Sequence, residues 1–291
     1  MMIKDSELII NPNGTVYHLD LKPENIADTI ITVGDQDRVE RITAFFDEVI
    51  FETQKREFKT QTGYYKGKKM TVISTGIGID NIDIVINELD ALVNIDLETR
   101  EEKKEHHKLN IIRIGTSGGI QPGVDIDKYV MGKAGVGFDG LLHYYEHSDI
   151  VNEEATKALN AHLKISSQKP EPYIVDCDPK LAALFENEAQ VITGYTGTNL
   201  GFYGPQGRRL RLPLKDADFI DQLVNFRYQD NRITNLEMET SAIYSLSKML
   251  GHSALSMNAI VANRAKGEFS KDPKATVKKL IQFTLDRLVQ L

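Results

Sequence analysis

Cysteine is almost missing from this chain of 291 residues, in which Cys177 stands alone. One cysteine excludes an intrachain disulfide and any metal cluster built on several thiolates, and it is typical of a reducing compartment. Long apolar runs are missing too, since no stretch approaches the roughly 18 uninterrupted apolar residues of a membrane span. Residues 1–20 lack the apolar centre of a secretory signal. We therefore expect a cytoplasmic protein that does not bind membranes.

Positive charge is also scarce, with 35 Lys and Arg against 42 Asp and Glu and a net charge of −7. This balance argues against a general nucleic-acid-binding protein, whose surface is basic. It does not exclude a small anionic substrate, because a few arginines in a cleft create a local positive field on an acidic protein. The 41% hydrophobic and 26% charged residues are those of an ordinary globular protein.

Strand-like and helix-like segments alternate along the chain. Three apolar, strand-like runs each lead into a glycine-rich turn, near Gly34, Gly76 and Gly115, and the first two are followed by apolar residues at helical spacing. This order predicts the α/β class, as a three-layer α/β/α arrangement with a central mixed, mostly parallel sheet flanked by helices. Ligands of such sheets bind at the carboxyl ends of the strands, where these turns lie.

The rest of the chain continues the pattern without a linker or a repeat, so residues 1–291 are interpreted as a single domain. A helix around residues 242–250 is ended by Gly251, and a buried strand (253–262) and a closing helix (277–288) follow. The densest charge run, at residues 98–108, mixes both signs and is interpreted as a solvated helix end or a surface insertion.

Two arginine-containing segments are candidates for anion binding. Gly34 lets the backbone approach a ligand and is followed by a helix start, which favours anions; Arg38 in that first turn is unfavourable for the helix dipole unless an anion is present. Arg113 lies within an apolar strand, where a charge must be paired, and Thr116 follows beside three glycines. The alternatives are a capped helix with Arg38 in solvent, and a salt bridge from Arg113 to an acidic side chain.

Two further segments are candidates for binding a sugar and a planar base. The loop at residues 202–208 combines Phe202 with Gln206, which donates and accepts, and Arg208, which only donates. At residues 237–239 two carboxylates flank a methionine at a helix start, where one acid is able to accept from sugar hydroxyls. The alternatives are a flexible polar loop and acids that favour a helix N-terminus.

Motifs for other chemistries are missing from the sequence. His143 and His147 are four residues apart, as zinc ligands on a helix are, but no Glu or Cys completes a set, so no metal is expected. We find no nucleophile elbow, no Walker loop and no dinucleotide fingerprint.

Taken in order, five stretches resemble the uridine phosphorylase type of the nucleoside phosphorylase family over residues 16–288. They are ITVGDQDRV, KREFKTQTGYYKGKKMTVISTGIGI, IIRIGTSGGIQPG, GFYGPQGRRL and NLEMETSA. The resemblance implies phosphorolysis of uridine in pyrimidine salvage, with inorganic phosphate as co-substrate and no cofactor. It also implies a homo-oligomer whose active sites are shared across a dimer interface.

The same resemblance implies a role for individual residues, and we list them by ligand. The residues implied to bind phosphate are Gly34, Arg38, Arg113 and Thr116, with Arg56 from the neighbouring subunit. Those implied to bind ribose are Glu237, Met238 and Glu239, with His18 from across the interface. Those implied to bind the base are Phe202, Gln206, Arg208 and Val261. Of these, Arg38, Arg113, Gln206 and Arg208 are expected to be catalytic.

Three other interpretations stay open at this point. A purine nucleoside phosphorylase or a water-using nucleosidase of the same fold would share much of this pattern, as would a non-catalytic nucleoside-binding protein. The aspartate of purine-type members has no counterpart at residues 259–265, and Asn81 replaces a serine that helps to hold a monovalent cation in bacterial members.

Overall fold

A computed structural model of the chain describes residues 2–147 and 149–291. The helices of this described part are α1 (Gln36–Thr43), α2 (Ile79–Asn94), α3 (Glu153–His162), α4 (Pro179–Ala183), α5 (Phe219–Asn225), α6 (Thr240–Met249) and α7 (Pro273–Leu288). The strands are β1 (Thr29–Val33), β2 (Glu48–Lys55), β3 (Phe58–Tyr65), β4 (Lys68–Ser74), β5 (Ile95–Asp96), β6 (Glu101–Glu102), β7 (Asn110–Gly119), β8 (Tyr129–Gly137), β9 (Tyr173–Asp176), β10 (Val191–Thr198), β11 (Ile233–Glu237), β12 (Ser253–Asn263) and β13 (Glu268–Phe269).

The large sheet contains two groups of parallel strands. In one group β4, β1, β7 and β12 lie side by side, and in the other β8, β10 and β11 do. Antiparallel pairings of β12 with β8 and of β11 with β7 join the groups, so that five strands close into a ring. Antiparallel β3, β2, β9 and β13 extend the edges. The predicted α/β class and mixed sheet are confirmed, whereas the ring closure has no counterpart in the local sequence pattern.

Helices cover both faces of the first group of parallel strands, because successive side chains along each strand point to opposite faces. Ile30 of β1 and Ile111 of β7 pack with α2 and α6. Their chain neighbours Ile31 and Ile112 point to the opposite face and pack with α1 and α7. Because both faces of these strands are covered, the strands are apolar throughout. This is the layered arrangement that the sequence predicts.

The ends of the helices follow the signals in the sequence. The Asp35 side chain accepts from the backbone N–H of Asp37 at the start of α1. Gly78, with φ 98°, is the cap before α2, and Gly251, with φ 80°, follows α6. The predicted helix, buried strand and closing helix of the last fifty residues are α6, β12 and α7.

The glycine-rich stretch at residues 115–119 is the exception, because it is not the turn that the sequence predicts. It continues β7 and pairs with β12 over its whole length. A Cβ atom at Gly115 would lie 1.8 Å from Nη1 of Arg113. The glycine is therefore required for the close approach of the arginine side chain and not for a reversal of the chain.

The charge run at residues 98–108 lies on the surface. Glu101–Glu102 pairs with Ile95–Asp96 in a small separate sheet, and residues 101–108 are exposed. The predicted surface position of this segment is confirmed. None of the helices in residues 2–147 and 149–291 has the length and apolarity that a bilayer crossing requires.

Candidate active site

A cavity of about 450 Å³ lies at the carboxyl ends of β1, β7, β11 and β12. This volume falls within the range of roughly 300–1,000 Å³ that is typical of small-molecule sites. Residues from all four candidate segments line it: Gly34, Arg38, Arg113, Thr116, Phe202, Gln206, Arg208, Glu237, Met238, Glu239 and Val261. The fold therefore brings together residues that are separated by more than two hundred positions in the sequence.

Arg113 is a buried cation that lines one end of this cavity. Its Nη2 contacts Oε2 of Glu237 at 3.2 Å and a carboxylate oxygen of Glu239, while Nη1 donates to Oδ1 of Asn258 at 2.7 Å. Burial alone would lower the pKa of Arg113, but the two carboxylates outweigh it and raise the pKa. The salt bridge that the sequence left as an alternative is thus present, and the arginine lines the cavity as well.

Arg38 lines the same end of the cavity, and its charge is less well neutralised than that of Arg113. Its Nη1 donates to the carbonyl oxygen of Ile114 at 3.2 Å, whereas its buried Nε has no hydrogen-bond partner among the residues that the structure describes. Burial, with the nearby charge of Arg113, lowers the pKa of Arg38. An anion here would relieve the repulsion between the two guanidinium groups and would accept from the free N–H. Gly34 and Thr116 line the same cavity.

The two carboxylates between β11 and α6 are held differently. Glu237 accepts from the hydroxyl of Thr198 at 2.7 Å and from the backbone N–H groups of Glu239 and Thr240. Burial raises the pKa of Glu237, against the lowering effect of Arg113. Glu239 accepts from the Gly78 N–H at 2.8 Å and from Arg113. Glu237 is therefore an anchor with several donors, while Glu239 has fewer contacts and is the one better able to accept from a ligand hydroxyl.

The loop at residues 202–208 supplies donors to the other end of the cavity. Arg208 donates through Nη1 to the carbonyl oxygen of Phe202 at 2.7 Å and to Oε1 of Gln206, and its guanidinium lies 3.9 Å from the centroid of the Phe202 ring. Burial and the neighbouring Arg264 lower the pKa of Arg208 to about 10. Gln206 is 2% exposed, so the loop holds a buried amide beside a cation rather than the flexible polar side chains of the alternative interpretation.

Apolar side chains complete the wall between these two ends. Met238, Val261 and Leu236 line the cavity, as do Ile77 and Phe269, which are 71% and 66% exposed. Exposed apolar side chains at the mouth of a cavity are typical of a surface that a ligand or a second chain covers.

His18 and Arg56 are the two predicted site residues that do not line the cavity. They lie together instead, next to Tyr17, with the His18 ring 4.8 Å and the Arg56 guanidinium 5.9 Å from the Tyr17 ring. Nδ1 of His18 contacts Oε1 of Glu88 at 2.6 Å, and the same carboxylate accepts from the backbone N–H groups of His18 and Leu19. Glu88 therefore fixes the orientation of the histidine.

Two residues that support the cavity-lining side chains are absent from the set that the sequence singles out. Asn258 is buried and accepts from Arg113. An asparagine within a predicted buried strand is unusual, and this feature of the sequence would have indicated it. Arg264 donates to the carbonyl oxygens of Gln206 and Gly207 and supports the loop from behind. Nothing in the local sequence distinguishes Arg264 from a surface arginine.

Possible metal ligands are dispersed in the described part of the chain, where no three His, Cys, Asp or Glu side chains are grouped to hold an ion. Nε2 of His143 lies 2.9 Å from the carbonyl oxygen of Glu171, and its ring lies 6.4 Å from that of His147.

Comparison with protein families gives a match to the phosphorylase superfamily over residues 28–290. The chain is 31% identical to a uridine phosphorylase of Thermococcus kodakarensis over 264 residues, which are 89% of this chain and 81% of the relative. A DeoD-type purine nucleoside phosphorylase of Listeria welshimeri is 36% identical, over 118 residues that make up 40% of this chain and 45% of the relative.

Comparison with solved structures gives a nucleoside phosphorylase of Trypanosoma brucei, described as showing uridine phosphorylase activity. Its TM-score is 0.88 at 29% identity, and the match covers 98% of this chain and all of the other chain. The similarity therefore extends over nearly the whole chain.

Proposed function

The chain belongs to the phosphorylase superfamily, and from this premise we propose that it is a uridine phosphorylase, a pentosyltransferase that converts uridine and phosphate to uracil and ribose 1-phosphate. One observation carries the proposal: a single cavity has buried arginines for an anion at one end and the Gln206 and Arg208 pair at the other. The relatives that match nearly the whole chain have this activity. The reaction is reversible and serves pyrimidine salvage.

At the phosphate end, Arg38 and Arg113 hold the nucleophile. Phosphate accepts from the free Nε of Arg38, from the hydroxyl of Thr116 and from the backbone at Gly34, so that one of its oxygens faces C1′ of the ribose. No side chain has to form a covalent intermediate, because the phosphate oxygen itself forms the new bond as the bond to the base breaks. Holding the two reactants in this geometry converts a bimolecular step into an intramolecular one.

At the base end, Gln206 and Arg208 bind the leaving group. As the glycosidic bond breaks, its electron pair stays on the base, and negative charge develops on a ring nitrogen and a carbonyl oxygen. Each donor that is preorganised to bind that charge lowers the activation free energy by about 3–4 kcal/mol. Phe202 and Val261 contact the faces of the ring.

Between these ends, Glu239 accepts from the ribose hydroxyls while Met238 packs against the sugar. Each carboxylate oxygen of Glu239 has one donor, Gly78 N–H or Arg113, so lone pairs remain for those hydroxyls. Glu237 keeps its own donors and holds Arg113 in place. The positive charge that develops on the ribose is then stabilised by the bound phosphate on one side and by these carboxylates on the other.

A homo-oligomer completes the site in this proposal. His18 and Arg56 lie outside the cavity of their own chain and form one cluster with Tyr17. That arrangement suits their delivery to a neighbouring cavity, where Arg56 of the partner subunit reaches phosphate and His18 of the partner subunit reaches the ribose 5′-hydroxyl. We further propose that residues 1–291 act as one domain and that the enzyme is cytoplasmic.

Phosphorolysis of a purine nucleoside is the second candidate function, favoured by the 36% identity to a purine enzyme over part of the chain. Residues 259–265, which include the cavity wall at Val261, contain no carboxylate to bind a purine ring nitrogen. Gln206 and Arg208 instead present donors, which suit the carbonyl groups of a pyrimidine.

The test is release of the free base from uridine and from inosine, each with and without inorganic phosphate at matched enzyme concentration. We expect uracil release that requires phosphate and little turnover of inosine. Uracil release without phosphate would identify a nucleosidase, phosphate-dependent turnover of inosine alone would identify a purine enzyme, and binding of uridine without turnover would identify a non-catalytic protein.

A further inference from the structure

Asn258 is a fully buried amide in the middle of β12, and it contacts the phosphate end of the cavity only through Arg113. Its chain neighbours Met257 and Ala259 are buried and apolar. The strand register places Asn258 directly opposite Gly115 of β7. Because a buried amide destabilises a fold unless its hydrogen bonds are made, the partners of Asn258 indicate what the residue does.

The Arg113 side chain reaches Asn258 by passing over Gly115. Arg113 and Gly115 are two residues apart in β7, so they lie on the same face of the sheet. A Cβ atom at Gly115 would lie 1.8 Å from Nη1 and 2.5 Å from Cζ of Arg113. Nη1 donates to Oδ1 of Asn258 at 2.7 Å. Two neighbouring strands therefore build one contact, since β7 leaves the space and β12 supplies the acceptor.

The other half of the Asn258 amide is also held. Nδ2 of Asn258 donates to Oγ of Ser256 at 3.0 Å, and the hydroxyl of Thr240 lies 2.9 Å from the same oxygen. Because a guanidinium group only donates, Oδ1 is the atom of the amide that faces Arg113. This chain of buried hydrogen bonds connects Arg113 to Thr240, the first residue of α6.

The contacts of Arg113 are divided between its two terminal nitrogens. Nη2 contacts the carboxylates of Glu237 and Glu239, whereas Nη1 contacts the amide of Asn258. A planar guanidinium that is held at one nitrogen is able to turn about that contact, whereas contacts at both nitrogens fix its plane. The two carboxylates, when ionised, already carry more charge than Arg113. A third carboxylate would repel a bound anion, and a neutral acceptor does not.

We propose that Asn258 is a positioning residue for phosphate, because its neutral amide fixes the plane of the Arg113 guanidinium without adding a third negative charge. Asn258 acts through Arg113 and does not touch the anion. The inference rests on the function proposed above, which identifies the anion as phosphate.

Isothermal titration calorimetry with inorganic phosphate alone measures the effect on anion binding. Asn258→Leu is close in size and removes the acceptor, and we expect the dissociation constant of phosphate to rise about tenfold or more, because a hydrogen bond with a charged donor is lost. Asn258→Asp keeps an acceptor and adds a negative charge, and we expect a rise there too. The control is Asn263→Leu, since Asn263 is a buried amide of the same strand that donates to the carbonyl oxygens of Gln121 and Val124. We expect the phosphate affinity of this control to be unchanged.

In steady-state kinetics the KM for phosphate should rise in both Asn258 variants, while the KM for uridine stays the same. An unchanged phosphate affinity in either Asn258 variant would overturn the proposal. An equal loss in Asn263→Leu, or an equal rise of both KM values, would assign Asn258 a purely structural role and overturn it as well. Urea unfolding shows whether each variant is folded, and Asn258→Asp decides if Asn258→Leu is not.

The calorimetry needs no turnover, so it separates this inference from the proposed reaction. If the unaltered protein bound phosphate but did not cleave uridine, the proposed reaction would fail, and the phosphate titrations would still decide the role of Asn258. If the unaltered protein bound no phosphate, the inference would be overturned.

Discussion

The two ends of the cavity hold their arginines in different ways. Arg113 comes from the middle of a buried strand and is paired with two carboxylates, which raise its pKa. Arg208 comes from a loop, lies against the Phe202 ring, and has no carboxylate partner among the described residues; burial and Arg264 lower its pKa to about 10. The charge of Arg113 is thus neutralised by carboxylates within the core. The charge of Arg208 is stabilised only by neighbouring carbonyl oxygens and by the Phe202 ring.

Because of this difference, we expect substitutions at the strand end to lower both stability and activity, and substitutions at the loop end to lower activity alone. Removal of a group from the strand end leaves buried charges without a partner and affects the whole fold. Removal of a group from the loop end changes how the base is bound, while the sheet is left intact. The variants below test that separation, from the largest expected effect to the smallest.

Replacement of Arg113 by Ala is expected to damage both properties. Loss of one partner from a buried ion pair costs about 3–5 kcal/mol of unfolding free energy, and turnover of uridine should fall by about a thousandfold or more. Urea unfolding and uracil release measure the two effects, with the exposed Arg211→Ala as the matched control. A variant as stable as the unaltered protein would contradict this account of the strand end.

The same variant has a predicted pH dependence. Burial raises the folded-state pKa of Glu237 above its ordinary value, and Arg113 opposes that rise. Without Arg113 the folded-state pKa rises further, and a carboxylate whose pKa is raised by folding destabilises the fold when it is ionised. The stability deficit should therefore shrink as the pH falls from about 7 to about 5. A deficit that grows on acidification would argue against unpaired carboxylates as its cause.

Replacement of Arg208 by Ala is expected to lower turnover of uridine by about a hundredfold to a thousandfold, because a preorganised donor to the leaving base is lost. The affinity for phosphate and the urea midpoint should change little. Initial rates at varied uridine and phosphate give both constants, and the exposed neighbour Arg209→Ala is the control. An equal loss of turnover and phosphate affinity would sink the assignment to the base end.

Arg264→Ala removes the two bonds to loop carbonyl oxygens. Hydrogen bonds that involve a charged group contribute about 1.5–3 kcal/mol, so we expect the KM for uridine to rise about tenfold or more, with phosphate affinity unchanged. Steady-state kinetics measure the change. If kcat fell and KM did not, Arg264 would act on the transition state rather than on the loop.

Glu88→Gln should have the smallest effect, because it weakens only the orientation of His18. We expect a loss of about two- to fivefold in kcat/KM for uridine, in line with the loss of a charge-assisted hydrogen bond at a partly exposed site. With 5′-deoxyuridine, which lacks the hydroxyl that His18 of the partner subunit would contact, the variant and the unaltered enzyme should match. An equal loss with both substrates would assign Glu88 a purely structural role.

Much of the strand end was predictable from the sequence, because its signals are local. A charged residue in an apolar strand, as at Arg113, has to be paired, and the resemblance of five stretches to one family supplies the rest. The pairing of Arg113 with Asn258 and Glu239 was not predictable, because these contacts join residues more than a hundred positions apart. The strand at Gly115–Gly119 was mistaken for a turn because glycine has the same local signal in both settings.

The loop end was less predictable. The residue types of Phe202, Gln206 and Arg208 indicated a base-binding loop, and the family resemblance gave these residues their roles, whereas the contacts of Arg264 with the loop are evident only in the folded chain. The ring of five strands also depends on pairings of β11 with β7 and of β12 with β8, which no periodicity reports.

The sequence alone determined the α/β class, the order of strands and helices and the residue types of the site, since these depend on spacing, burial and short motifs. Only the tertiary structure decided which carboxylates neutralise Arg113, why Arg38 keeps a free N–H, and that Arg264 contacts the loop at residues 202–208. The reason is physical: propensity and pattern act over a few residues, whereas ion pairs, buried amides and closed sheets are set by contacts between distant parts of the chain.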